Sequence, residues 1–134
     1  MKRLITLFIA ILFLKISIGQ TTKVVTNKMA SIPATSEDLP KNWIDEKCVF
    51  YVKKGFFSAE LDGGLVTWKI IDFQTSPDGN LLMYNILDVE DSQGMVLLYL
   101  AEDGSATIRM SFQGQKDAFW YYAPAENITE LEDK

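Results

Sequence analysis

The chain has 134 residues, 48% hydrophobic and 12% aromatic, with 18 acidic residues against 13 basic and no histidine. That length suits one domain around one core. Without histidine, Ser-His-Asp and Cys-His catalysis and the usual zinc ligand sets are excluded, which leaves carboxylates, lysines and tyrosines for any chemistry.

Lys2 and Arg3 precede an apolar run from Leu4 to Leu14, and Ser17 and Gly19 then stand at the −3 and −1 positions of a cleavage site. This is the pattern of an export signal over residues 1–19, cut after Gly19. The apolar run reaches roughly half-way across a ~30 Å bilayer core, so an uncleaved anchor is disfavoured. The expected product is secreted or periplasmic, with no membrane insertion after cleavage. Cleavage removes three of the 13 basic residues and leaves 10 against 18 acidic, a net charge of −8. Such a chain repels nucleic acid and anionic lipid unless it carries a basic patch, and no such run occurs. Cys48 is the single cysteine, so no internal disulfide forms. In "CVFYVK" it alternates with Phe50 and Val52, as a buried thiol would. Intermolecular pairing and a reactive thiolate are the alternatives.

Residues 20–41 read as a polar N-terminal arm broken by Pro33 and Pro40, with a short helical turn over "TSED", where Thr35 and Asp38 have capping-box spacing. Residues 42–124 read as a β domain punctuated by turn signals at Gly55, "DGG" (62–64), "SPDGN" (76–80), "EDSQG" (90–94), "EDGS" (102–105) and "QGQK" (113–116). These separate seven strands, at about 47–53, 56–61, 65–75, 81–89, 95–101, 105–112 and 117–123. Residues 125–134 form an acidic tail. Short connections favour antiparallel neighbours, so the expected fold is all-β, an up-and-down meander forming a small rolled sheet or barrel. The segment "LPKNWID" ahead of such a meander resembles the start of lipocalin chains, where a short helical turn precedes Gly-x-Trp at the barrel floor. Here Lys41 stands in the glycine position before Trp43. The resemblance covers that segment and the topology, and implies a fold without a function.

The turns also suggest register. Asp103 and Gly104 suit a two-residue type I′ loop pairing Glu102 with Ser105. Met95, Leu97, Tyr99 and Ala101 then face Phe112, Met110, Ile108 and Ala106 in the core, with Val96, Leu98 and Leu100 on the other side. Gly114 suits a type II′ loop pairing Gln113 with Lys116, which sends Phe119 and Tyr121 inward and sets Trp120 and Tyr122 outside, opposite Arg109 and Thr107. A loop longer by one residue exchanges the two aromatic pairs. On the first register the outer face gathers Leu98, Arg109 and Trp120 beside Leu100, Thr107 and Tyr122, with a cation-π contact from Arg109 to Trp120. Something should cover so apolar a surface, and Trp43, Leu39 or Ile32 of the arm are the candidates. In the earlier hairpin, the apolar face switches after Ile70 to Ile71 and Phe73, and after Ile86 to Leu87 and Val89. That pattern predicts a bend or bulge shared by both strands.

"DVEDSQG" (88–94) has oxygen ligands near a glycine, but Tyr99 occupies the place of the bidentate glutamate, so no metal site is expected. Asp72 and Asp88 are the candidates for a carboxylate pair acting on a glycosidic bond. "NIT" (127–129) fits the glycosylation tripeptide at Asn127. The expected role is that of an exported, non-enzymatic domain with no cofactor. It would bind a small apolar or aromatic ligand, or a protein partner, through Trp120, Tyr122, Arg109, Leu98 and Leu100. The alternatives are an interaction or assembly protein of the cell envelope using the same patch, and a carboxylate-based hydrolase.

Overall fold

A computed structural model describes residues 21–61 and 63–131; the expected export signal lies outside them. Nine strands follow in order: β1 (Thr21–Pro33), β2 (Ile44–Lys53), β3 (Phe56–Leu61), β4 (Gly64–Thr75), β5 (Leu81–Leu87), β6 (Gln93–Leu100), β7 (Ala106–Phe112), β8 (Asp117–Ala123) and β9 (Ile128–Leu131). Strands β2 to β8 pair with their sequence neighbours, and β1 pairs with both β2 and β8. The result is a closed, eight-stranded antiparallel barrel with β9 as an extra strand. Closure leaves the eight strands without the unpaired N–H and C=O edge that an open sheet presents.

The strand that closes the barrel lies where a polar arm was expected. One edge of β1 pairs with β2 from Thr22 opposite Val52 to Met29 opposite Ile44, and the other pairs with β8 from Lys28 opposite Tyr122 to Pro33 opposite Asp117. Its inward row begins Thr22, Val24, Thr26, all buried, so threonine takes places where an apolar pattern would put valine. β-branched threonine suits a strand, and the buried Thr26 hydroxyl is satisfied by donating to the Cys48 carbonyl at 3.1 Å. No helical turn forms over "TSED". Ser36 N–H instead donates to the Pro33 carbonyl and Asp38 N–H to the Ser36 hydroxyl. Pro33 and Pro40 leave too few residues between them to offset helix nucleation.

The expected acidic tail is also partly structured. After β8 a 3-10 turn (Ala125–Asn127) steps the chain sideways, and β9 then pairs with the start of β1, from Val24 opposite Ile128 to Thr21 opposite Leu131. Ile128 packs against the core beneath it. The Asn127 amide donates to the Val25 carbonyl at 3.1 Å, which ties the side chain of the "NIT" tripeptide to β1.

The turns decide which faces point inward. Residues 101–105 form a three-residue loop: Gly104 N–H donates to the Ala101 carbonyl, Ala101 N–H to the Ser105 carbonyl, and Gly104 takes φ +91°. This is a type I turn followed by a left-handed glycine, not the expected two-residue loop. The extra residue slips β6 by one against β7, so Leu100 meets Ala106, Leu98 meets Ile108 and Val96 meets Met110. The inward row of β6 is therefore Val96, Leu98 and Leu100, while Met95, Leu97 and Tyr99 point out. The next turn preserves the expected register with a different geometry. Gln115 N–H donates to the Phe112 carbonyl, Gly114 takes φ +85°, and Arg109 pairs with Trp120 as anticipated. The bulge falls at Ile71, where the pairing of β4 with β5 shifts between Ile70 and Asp72. It belongs to β4 alone, since Leu82, Tyr84 and Ile86 stay buried along β5 and Val89 lies exposed in the following turn.

Candidate functional site

Two surfaces of the β7 and β8 pair carry aromatic side chains, and the barrel wall separates them. Outside, Trp120 sits in the row Leu97, Arg109, Trp120, Ala30, and Tyr122 in the row Tyr99, Thr107, Tyr122, Lys28. The Trp120 ring stacks on Tyr99 with centroids 5.9 Å apart and planes 12° off parallel, and the Arg109 guanidinium lies 5.8 Å from its centroid. Only 5% of Trp120 remains exposed. Arg109 is further engaged: one Nη donates to the Ala34 carbonyl at 2.9 Å and the other to the Ser111 hydroxyl at 3.4 Å.

The outer face therefore brings together Trp120, Tyr122 and Arg109 as expected but lacks the other two members. Leu98 and Leu100 are 0% and 5% exposed and belong to the interior, because the 101–105 loop is one residue longer than the register argument assumed. Nor does the segment after β1 supply the cover through Leu39, which is 71% exposed. Tyr99 and Arg109, from the same sheet face, lie against the ring. Trp120 is thus a covered packing residue, and the ring is not an open stacking platform.

Inside the barrel, at the end that carries the 113–116 turn, lies a cavity of about 250 Å³. Five rings line it: Phe50 from β2, Trp68 from β4, Phe112 from β7, and Phe119 and Tyr121 from β8. Met29 and Met110 fill between them, Gln115 reaches it from the turn, and no charged side chain among the described residues takes part. Four of these rings, joined through Phe57, form a connected arc. Phe50 meets Tyr121 edge-on at 4.8 Å and Phe57 at 5.6 Å; Phe57 meets Trp68 at 5.9 Å, and Trp68 meets Phe112 at 5.8 Å. Edge-on and offset contacts suit the ring quadrupoles and hold the wall in shape.

Gly94 positions one ring of that wall. It pairs with Phe112, and a Cβ on it would stand 2.7 Å from Phe112 Cδ1. The missing side chain is what lets the ring lie across β6 and reach Trp68. Gly94→Ala is expected to cost about 1–3 kcal/mol by overpacking, and to weaken binding in the cavity by pushing the ring into it. Urea unfolding measures the loss, and Phe112→Leu in the Gly94→Ala background should recover most of it by removing the clashing edge.

Two titratable groups beside the cavity, Tyr121 and Cys48, are held neutral. Burial pushes the Tyr121 phenol up to about 12, with Cys48 and Glu46 adding to the effect. Burial likewise pushes the Cys48 thiol up to about 11, assisted by Glu46 and Glu60 and opposed by a hydrogen bond from Val49. A thiol so shifted is protonated at neutral pH and a poor nucleophile. The carboxylates considered for hydrolysis serve local structure. Asp72 is exposed and accepts from its neighbour Phe73 N–H, and Asp88 accepts from the Glu90 and Ser92 N–H groups at 2.8 Å each, closing the β5–β6 turn. Neither lies in the apolar surroundings that a general acid at neutral pH requires.

Comparison with protein-family models, with curated proteins and with solved structures returned no match for this chain.

Proposed function

We propose that this protein is an exported, non-enzymatic binder of a small apolar or aromatic molecule, held in the mouth cavity of the barrel and not on its outer aromatic face. One observation carries the reading: a cavity of about 250 Å³ walled by five aromatic rings, without a charged group among the described residues. Water gains little there, because an apolar wall offers too few hydrogen-bond partners to hold it. The size indicates the class. A cavity of ~150 Å³ accommodates benzene and drug-sized ligands occupy ~300–1,000 Å³, so one or two rings, or a short branched chain, match this volume. Gln115 is the lining group placed to orient a single polar substituent.

The test is a titration with 1-naphthol, followed by calorimetry and tryptophan emission. Trp68 lines the cavity, so its emission should change saturably with one site per chain. Trp68→Phe should remove most of the optical signal while leaving measurable heat. Absence of both heat and emission change up to the solubility limit of the probe would refute the cavity as a ligand site.

A further inference from the structure

Resting on that reading and narrowing it, we infer that the cavity selects lipophilic cations, of the quaternary ammonium or N-alkylated aromatic amine class, over neutral molecules of the same shape. An aromatic ring attracts a cation through the negative lobe of its face, and Phe50, Trp68, Phe112, Phe119 and Tyr121 line one space from four different strands. A cation entering it meets several rings at once, and each ring whose centroid it approaches within about 6 Å adds to the attraction. Among the described residues, lysine and arginine, which would repel such a ligand, are missing from the lining.

Carboxylates stand close to the same space. Glu46 is near enough to help hold the Tyr121 phenol and the Cys48 thiol in their protonated forms. Asp117 opens β8 on the row that continues, two residues at a time, through Phe119 and Tyr121, so it marks the rim on the cavity side. Lys47 and Lys116 are found at this end of the barrel too. Neither lines the cavity, and Lys47 lies with Glu60 around a separate surface depression. The chain as a whole carries a net charge of −5, which draws cations toward it. A primary ammonium ion is a poor fit, because it is strongly hydrated and the lining offers little to replace its water. A cation with its charge spread beneath methyl groups loses far less on entering.

Phenyltrimethylammonium and tert-butylbenzene have nearly the same shape and differ by one positive charge, so they separate charge from size. Calorimetric titration at low ionic strength should show the cation binding at least about tenfold more tightly. Glu46→Gln, an exposed substitution that leaves the core untouched, should weaken the cation and leave tert-butylbenzene unchanged. Trp68→Leu should narrow the preference by removing a ring from the wall. Equal or tighter binding of tert-butylbenzene would overturn the charge preference while leaving the cavity reading intact. Failure of both compounds to bind would overturn the two together.

Discussion

Phe50→Ala is expected to lower the stability of the protein by about 3–5 kcal/mol, the range seen when a buried phenylalanine is truncated. Phe50 is 0% exposed and lies on β2 between Val24 of β1 and Ala59 of β3. Its cross-strand neighbours are therefore smaller than itself, and the ring alone fills the space above them. It also links Tyr121 on one side to Phe57 on the other, so truncation cuts Tyr121 off from the rest of the aromatic arc. The hole would open into the cavity that Phe50 already lines, which prevents the surrounding chain from collapsing onto it. For a domain of this size the loss corresponds to a fall in Tm on the order of 15 °C. Urea unfolding should show a lower midpoint with an unchanged slope, since the same surface is exposed on unfolding. Phe50→Leu should recover more than half of the loss. A loss below about 1 kcal/mol for Phe50→Ala would mean that the ring is not part of the packed wall described above.

Trp120→Ala should destabilise by about 2–4 kcal/mol, although the side chain points away from the barrel interior. The indole is 5% exposed, with Tyr99 and Arg109 against it, so the ring behaves energetically as a core residue. One factor moderates the cost. The indole Nε1–H is buried and makes no hydrogen bond among the described residues, so its removal also relieves an unsatisfied donor. Trp120→Phe, which keeps a ring under Tyr99 and drops that donor, should cost less than about 1 kcal/mol. Neither substitution should change the affinity of 1-naphthol for the cavity, because Trp120 is on the far side of the wall. Lost binding at an unchanged Tm would restore the outer face as the site and displace the cavity.

The difference between these two tryptophan and phenylalanine sites shows how far local pattern reaches. That Arg109 would lie against Trp120 follows from a single hairpin whose turn, with glycine at position 114, keeps the two strands in the anticipated register. What covers the pair does not follow from it. Tyr99 reaches Trp120 only because β6 is slipped by one residue, and β6 is apolar on both faces, with Met95, Leu97 and Tyr99 alternating against Val96, Leu98 and Leu100. Such a strand has no hydrophobic preference for either orientation, so the choice passes to the length of the 101–105 loop. There a two-residue and a three-residue turn are compatible with the same Asp-Gly sequence. The β4 bulge was legible at Ile71, since the apolar alternation breaks there, but the parallel break after Ile86 marks only the end of β5.

From the amino-acid order alone came the all-β class, the meander of β2 to β8 and the positions of their turns, because glycine, proline and aspartate act on a few neighbouring residues through backbone sterics and side-chain capping. Closure was decided elsewhere. β1 and β9 carry too much threonine, lysine and glutamate to announce themselves, and are strands because the edges of β2 and β8, and of β1 for β9, offer their backbone groups partners. The cavity likewise belongs to the folded molecule only. Its five rings come from β2, β4, β7 and β8, and no local periodicity relates residues that the barrel must close to bring together.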